Sequence, residues 1–299
     1  MIQRRKLFNF IVFLPCLILC LAGCVNENHV FMKDNKIIVG ETSPNDHIDH
    51  EMMIAQISDV LLVSKLKKEE RAILHFERGV LYDSLGLWTL ARFNFQQALA
   101  LYPKLASAFN YLGLYLLLDQ DYETSLEAFN MVFELDPKYE YAFLNRGLNF
   151  HYVERYELAH QDFLQFYQLD KSDPYRVLWL YLNELKRNPK EAKQNLALRA
   201  NLLNHELWGT YIVQYYLGNL SVEELLTKAQ QFTQSSSAKS AEVLTETYFY
   251  LAKQQLNLGQ VDKAETLFKL AVANQVYNFV EYRFALFELM KLKQGSNQK

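Results

Sequence analysis

A 34-residue periodicity constrains the fold of this chain more than any other feature of its sequence. Three residue types recur at that interval: Gly79, Gly113 and Gly147; Phe95, Phe129 and Phe163; and Pro103 and Pro137. A period of this length is typical of a helical unit that buries its apolar face only by stacking on copies of itself. The small residues let two helices approach closely, the rings fill the space between units, and the prolines end helices. The chain is therefore predicted to be a row of helix hairpins.

The positions of these residues within the period resemble the tetratricopeptide repeat. Clear repeats are predicted at 72–105, 106–139, 140–173 and 245–278, with degenerate helix pairs over 174–244. The resemblance implies an all-α fold over residues 49–299, a tetratricopeptide-repeat helical solenoid of antiparallel helix hairpins wound into a superhelix. A composition with only ten glycines and six prolines agrees with a helical chain.

The first 24 residues predict secretion and lipidation. Arg4, Arg5 and Lys6 precede an apolar run that is shorter than the ~20 residues needed to cross a bilayer, which is typical of a signal peptide. The run ends in Leu-Ala-Gly-Cys24, which resembles the bacterial lipobox at all four positions. The resemblance implies a signal peptide at 1–23, fatty acyl chains such as palmitate on Cys24, and a lipidated tether at 24–48. Where bacteria sort lipoproteins by the residue after the lipidated cysteine, aspartate holds them at the inner membrane. Because Val25 is not aspartate, we expect an outer-membrane anchor facing the periplasm.

Cysteine and charge content exclude several classes of function. Cys16 and Cys20 leave with the signal peptide and Cys24 carries lipid, so the folded body has no thiol for a disulfide, a metal site or a nucleophile. Removal of residues 1–23 takes three of the 31 basic residues and none of the 34 acidic ones. The mature chain is then more acidic than basic, which argues against nucleic acid as a partner.

Three segments make the resemblance more specific than the repeat alone. They are FERGVLYDSLG at 76–86, YAFLNRGLNFHY at 141–152 and LFKLAVANQVYNFVEYRFAL at 267–286. Together with the lipobox they resemble the NlpI family of outer-membrane lipoproteins of Gram-negative bacteria. The resemblance implies a homodimeric adaptor that binds peptidoglycan hydrolases, a murein endopeptidase among them, and a periplasmic tail-specific protease. Such an adaptor would regulate cell-wall synthesis, hydrolase turnover and cell division.

Two surfaces are expected to make protein contacts. In tetratricopeptide solenoids the first helix of each repeat lines a concave face, and the register assigns to a partner-binding groove Phe76, Val80, Asn110, Leu114, Tyr141, Leu144, Leu148, His151 and Tyr152. Some of these side chains could instead pack against another helix or a second subunit. Repeats that clamp a carboxylate carry Lys, Arg or Asn where Phe76, Val80 and Tyr141 stand, so that mode is excluded. Candidate dimer contacts are Met53, Ile57, Leu61, Phe279, Tyr282 and Phe287.

The sequence contains no motif for catalysis, metal binding or a cofactor. His47 and His50 have a metal-like spacing, but they lie where the tether becomes helix and are interpreted as solvated polar residues. We therefore expect a protein that is not an enzyme. The alternative function is that of a structural tetratricopeptide lipoprotein that helps to assemble an outer-membrane or secretion complex.

Overall fold

A computed structural model of the protein describes residues 39–40, 44–235 and 240–296. Within these ranges there are fourteen α-helices and no strands. In chain order they are α1 (Pro44–Val63), α2 (Lys68–Ser84), α3 (Trp88–Leu101), α4 (Ala106–Leu118), α5 (Tyr122–Leu135), α6 (Glu140–Tyr152), α7 (Tyr156–Leu169), α8 (Pro174–Arg187), α9 (Pro189–Ala200), α10 (Gly209–Leu217), α11 (Val222–Ser235), α12 (Ser240–Asn257), α13 (Val261–Ala273) and α14 (Val280–Ser296). None of the helices in the described ranges is both long and apolar enough to span a bilayer.

Helices α2 to α13 pair in sequence as helix hairpins, with α1 before the first pair and α14 after the last. The closest pairs are α2 with α3, α4 with α5, α6 with α7, and α12 with α13. These four hairpins contain the four predicted clear repeats. The segment predicted to hold degenerate helix pairs contains α8 with α9 and α10 with α11. The predicted all-helical hairpin architecture is confirmed.

The glycine and phenylalanine of each period touch within one hairpin. A Cβ atom built on Gly79 would lie 2.6 Å from Cε1 of Phe95, and the same position on Gly113 would lie 2.7 Å from Cε1 of Phe129. The third hairpin repeats this contact between Gly147 and Phe163, at 2.8 Å. All three rings are buried. Any side chain in place of glycine would overlap the ring, so the recurring glycine allows the recurring phenylalanine.

The turns inside the hairpins share a backbone conformation as well. Gly86, Gln120 and Glu154 follow at intervals of 34 residues, with positive φ angles of 73°, 65° and 62°, and Gly259 has a φ of 73° in the α12–α13 turn. A left-handed residue after a helix turns the chain back, and glycine adopts that conformation without a steric cost. The non-glycine residues at two of these turns show that packing of the helix pair over-rides the local preference.

The last residues of the segment interpreted as a tether are helical in the structure. Helix α1 begins at Pro44, inside the segment interpreted as a tether over 24–48, because proline suits the first turn of a helix, where its missing N–H is not needed. Gly40 is also docked, since its N–H donates to Oδ1 of Asn274 at 2.7 Å. The predicted signal peptide, Cys24 and the tether up to residue 38 lie outside the described residues.

Candidate protein-binding surface

The first helices of the hairpins carry the predicted groove residues, and most of these side chains are covered. Tyr141 is exposed, with 57% of its surface accessible. Phe76, Val80 and Tyr152 are half-buried. The remaining five are buried: Asn110, Leu114, Leu144, Leu148 and His151. These five side chains therefore pack within the chain, which is the alternative that the sequence left open.

The C-terminal helix α14 covers part of this face. Its Phe284 stacks on Tyr152 of α6, with ring centroids 5.4 Å apart, and contacts Trp179 of α8 at 5.9 Å. Its Gln294 accepts a hydrogen bond from Nε2 of Gln120, directly after α4, at 3.3 Å. Helix α14 thus packs across the ends of several first helices, in the place where a partner helix would be expected.

A buried ion pair fixes α14 to the first hairpin. Arg283 of α14 donates from Nη2 to Oδ2 of Asp83 in α2, and only 3% and 2% of the two side chains are accessible. Tyr115 of α4 donates its hydroxyl proton to the other oxygen of Asp83. Burial, followed by the Asp83 charge, raises the pKa of Tyr115 well above its usual range, so it remains a donor. The Arg283–Asp83 ion pair joins residues 200 positions apart in the sequence.

A second polar cluster holds the middle of α14. The Tyr152 hydroxyl donates to Oε1 of Glu288 at 2.8 Å, and Nζ of Lys253 in α12 donates to the same oxygen at 2.5 Å. Burial alone would raise the pKa of Glu288, but Lys253, Tyr152 and Lys291 more than offset it and the pKa is lowered. Glu288 is therefore an ionised, paired carboxylate in the interior.

Accessible side chains lie near the opposite ends of α2 and α6. Contacts with α14 lie at Asp83, Gln120 and Tyr152, which are at or just beyond the C-terminal ends of α2, α4 and α6. Near the N-terminal ends, Ile73 is 50% accessible and Tyr141 is 57% accessible. Asn110 does not point a free amide outward, because its Oδ1 accepts from Nδ2 of Asn145 at 3.0 Å. The accessible edge beside the predicted groove is therefore formed by Tyr141 and the neighbouring first-helix residue Ile73.

The predicted dimer residues divide between exposed and buried positions. Met53 of α1 is exposed and Ile57 is half-buried, whereas Leu61 is buried. Phe279 is half-buried. Tyr282 and Phe287 are buried by neighbours in the same chain, including Trp88 and Tyr152. Leu61, Tyr282 and Phe287 are thus covered within the chain, and a dimer contact through α1 or the C-terminal helix stays a prediction.

Exposed apolar side chains concentrate on α1. They include Met52, Met53, Leu62 and Val63, the last two with 82% and 81% of their surface accessible. The other side of α1 is held to α2 by polar contacts: Arg78 donates to Oγ of Ser58 at 2.9 Å, and Ser84 and His50 share a hydrogen bond at 2.9 Å. Since His50 is engaged in this way, it helps to dock α1.

In the described part of the chain, no group of three or more His, Cys, Asp or Glu side chains could hold a metal ion.

Sequence reasoning missed the residues that close the groove. Arg283 and Glu288 give no local signal, because a charged residue on an amphipathic helix usually faces solvent. The one hint was the aromatic character of the C-terminal segment, with Tyr282, Phe284 and Phe287 within six residues. That pattern indicates a helix that needs cover without indicating what covers it.

The stacked hairpins, with one small residue and one ring per period, define a tetratricopeptide-repeat protein. No family model matches the chain. Among curated proteins, it is 65% identical over 287 residues to the lipoprotein NlpI homolog of Haemophilus influenzae, across 95% of this chain and 91% of that protein. The chain belongs to the NlpI lipoprotein family, and the predicted family is confirmed.

Solved structures with a similar arrangement are also repeat proteins. A tetratricopeptide repeat protein from Parabacteroides merdae is 17% identical, with a TM-score of 0.48, over 83% of this chain and 99% of that one. PilF from Pseudomonas aeruginosa is 18% identical, with a TM-score of 0.44, over 74% of this chain and 99% of that one. The architecture is defined by the helix hairpins of the chain itself.

Proposed function

We propose that this protein is an outer-membrane-anchored periplasmic adaptor. It binds peptidoglycan hydrolases, including a murein endopeptidase, together with a periplasmic tail-specific protease, and so regulates hydrolase turnover, cell-wall synthesis and cell division. The observation that carries the proposal is membership of the NlpI family at 65% identity along 95% of the chain. The accessible aromatic and aliphatic edge at Ile73 and Tyr141 supports a protein ligand, since exposed rings of this kind are favoured at binding hot spots.

The adaptor acts by raising effective concentration and catalyses nothing itself. Two proteins held on one scaffold meet in an intramolecular step, which increases the fraction bound without any new contact between them. A fatty-acylated Cys24 confines that encounter to the periplasmic side of the outer membrane. Each buried CH₂ of a lipid chain adds about 0.8 kcal/mol, so two or more chains anchor stably. Purified protein is accordingly expected to leave peptidoglycan uncleaved.

A homodimer through α1 is part of the same proposal. Met53, with Leu62 and Val63 further along the helix, offers an apolar surface that a second copy could cover. Sedimentation of the full-length protein should show a dimer, and Leu62→Glu with Met53→Glu should shift it towards monomer with unchanged helix content. A dimer of undiminished stability in this double variant would exclude α1 as the contact.

Affinity capture tests the function directly. Envelopes are cross-linked in cells that carry the tagged wild type or the Cys24→Ala variant, and captured proteins are quantified by mass spectrometry. The adaptor predicts that a peptidoglycan hydrolase and a tail-specific protease are enriched by the wild type and fall sharply with Cys24→Ala, while the variant itself leaves the membrane fraction. Enrichment of barrel or secretin proteins instead would support the assembly role and contradict the adaptor.

A further inference from the structure

A pocket lies between α6, α8, α12 and α14, and the predicted groove does not account for it. Its cavity volume is about 200 Å³. One water needs only ~15 Å³ on this measure, so the cavity admits a group the size of an amino-acid residue. Exposed side chains of Glu154, Lys186 and Asn257 lie at its rim. The pocket is thus accessible to a ligand from solvent.

The pocket lining contains more cationic than anionic side chains. Its lining contains Lys186, Lys253 and Lys291 against Glu154 and Glu288. Glu288 forms an ion pair with Lys253, with Nζ and Oε1 2.5 Å apart. Within the described part of the chain, neither Lys186 nor Lys291 is within ion-pair distance of a carboxylate. Lys291 instead lies over the ring of Tyr152, with Nζ 5.1 Å from the centroid.

His151 lies in the lining beside the three lysines and is buried. Burial first, and then Lys253, Lys186 and Lys291, lower its pKa to about 3. His151 therefore stays neutral in the periplasm and adds no charge of its own. Because three lysines face two glutamates in the lining, an anion that enters the pocket would be attracted by the excess positive charge.

The remaining walls are apolar. Leu182 and Leu185 come from α8 and Leu256 from α12, and the Tyr152 and Tyr156 rings face the same space. A ligand that matches both features carries a carboxylate next to an apolar side chain. The last residue of a polypeptide with an apolar C-terminus presents the two groups on a single Cα atom.

We propose that this pocket binds the free C-terminal carboxylate of a partner polypeptide that ends in an apolar residue, with Lys186 and Lys291 contacting the carboxylate. The proposal rests on the proposed function and specifies one way in which the adaptor recognises a protein. Lys186 and Lys291 come from α8 and α14. The carboxylate clamp that the sequence excludes would use the first helices of the three N-terminal repeats, so the proposed site is a different one.

The test uses full-length lipoprotein in detergent and a dye-labelled hexapeptide that ends in Leu-Leu, measured by fluorescence anisotropy. The free-acid peptide should bind, and the same peptide with a C-terminal amide should bind at least about tenfold more weakly, the scale of a charge-assisted contact. A third peptide with an amidated end and an internal glutamate distinguishes a side-chain carboxylate from the C-terminal one. Equal affinity of all three, or no saturable binding of the free acid, would overturn the proposal.

Substitutions of the two pocket lysines test whether the peptide binds in the pocket. Lys186→Gln and the Lys186→Gln/Lys291→Gln double variant should weaken free-acid binding by about tenfold or more. Lys186 is exposed, so its single variant is expected to keep the fold. Lys104→Gln and Lys190→Gln, exposed lysines outside the pocket, are the matched controls and should bind as the wild type does. Unchanged binding by the double variant, with unaltered thermal unfolding, would contradict the assignment.

The peptide-binding test and the test of the adaptor function have separate outcomes. Envelope capture by the wild type tests whether partners exist, whatever the peptide result. Partners captured without any free-acid binding would overturn the pocket alone. Peptide binding without captured hydrolase or protease would overturn the proposed function alone.

Discussion

At each of three glycines, a phenylalanine ring occupies the space that a side chain would need. Gly113 illustrates the conflict, because its Cβ would lie 2.7 Å from Cε1 and 3.0 Å from Cδ1 of Phe129. Phe129 is fully buried and has little room to yield. The glycine is thus retained for the close approach of two helices, against its low helix propensity.

Gly113→Ala is expected to destabilise the protein by about 1–2 kcal/mol. Overpacking a core position costs roughly 1–3 kcal/mol, and the gain in helix propensity returns up to about 1 kcal/mol. Urea unfolding followed by circular dichroism measures the difference. The control is Gly295→Ala in α14, where nothing lies within 4 Å of the new Cβ, and it should be neutral or slightly stabilising. Equal stability of Gly113→Ala and the wild type would show that the ring contact is not tight.

Two buried glutamates have pKa values shifted in opposite directions. Burial, reinforced by the charge of Glu281, raises the pKa of Glu246 well above the ordinary 4.5. Lys253 helps to lower the pKa of Glu288 despite its burial. The folded state therefore holds extra protons at Glu246 above pH 4.5, and that contribution to stability is lost as the pH rises through the folded pKa. Glu288 contributes stability above its unfolded pKa and loses it as the pH falls.

Glu246→Gln should therefore raise the thermal unfolding temperature at about pH 7.5, with a difference that shrinks towards zero at about pH 4. The amide keeps an acceptor for the Tyr175 hydroxyl, which donates to Glu246 in the wild type. Glu288→Gln is the paired comparison and should lower the unfolding temperature at neutral pH, because Lys253 loses its partner. A lower temperature for Glu246→Gln at neutral pH would show that its carboxylate is ionised and stabilising.

At the scale of elements, the docking of α14 is the feature that most alters the binding face. The helix is attached at Asp83, Gln120, Tyr152 and Lys253, so it touches or closely approaches four of the preceding elements. Its buried ion pair with Asp83 is sensitive to loss of one partner, since the other charge would remain buried and uncompensated. The stability of this contact determines how much of the first helices a partner can reach.

Arg283→Met is expected to destabilise the protein by about 3–5 kcal/mol, the usual consequence of leaving a buried charge unpaired. Asp83→Asn in the same chain should recover most of the loss, because asparagine is neutral and still accepts from Tyr115. Amide hydrogen exchange should show that protection is lost first in Val280–Ser296.

Lys269→Met is the control for that experiment, since Lys269 and Glu265 form an exposed pair on α13. Its effect should remain within about 0.5 kcal/mol. If Arg283→Met were as mild as this control, α14 would be held by its aromatic contacts, and the ion pair would be incidental.

The elements that could be predicted are those with a local signal. The glycines, phenylalanines and prolines of the period identify the hairpins, because each residue type acts within one or two neighbouring helices. The left-handed turns at Gln120 and Glu154 have no such signal, since neither residue type favours positive φ. The position of α14 could not be predicted either, because Arg283 meets Asp83 across 200 residues and a periodic pattern contains no information about such a contact.

At the scale of the whole molecule, the proposed lipid and the hairpin stack have separate roles, localisation and protein binding. The lipid on Cys24 would determine where the protein acts, and the stack would determine what it holds. Sequence alone predicted the family and the helical architecture, both of which are confirmed. It left open whether the groove is accessible or covered; in the structure α14 covers the C-terminal ends of the first helices, and Ile73 and Tyr141 near the other ends are accessible.

Photocross-linking in living cells tests the central claim, that this accessible edge holds other polypeptides. A photoreactive amino acid replaces Tyr141 or Ile73 on the first helices, and Glu127, an exposed residue on the second helix α5, serves as the control position. The account predicts adducts at Tyr141 and Ile73 that contain a peptidoglycan hydrolase or a tail-specific protease, with little or none at Glu127. Adducts confined to Glu127, or no protein adduct at Tyr141 and Ile73 in correctly localised protein, would contradict it.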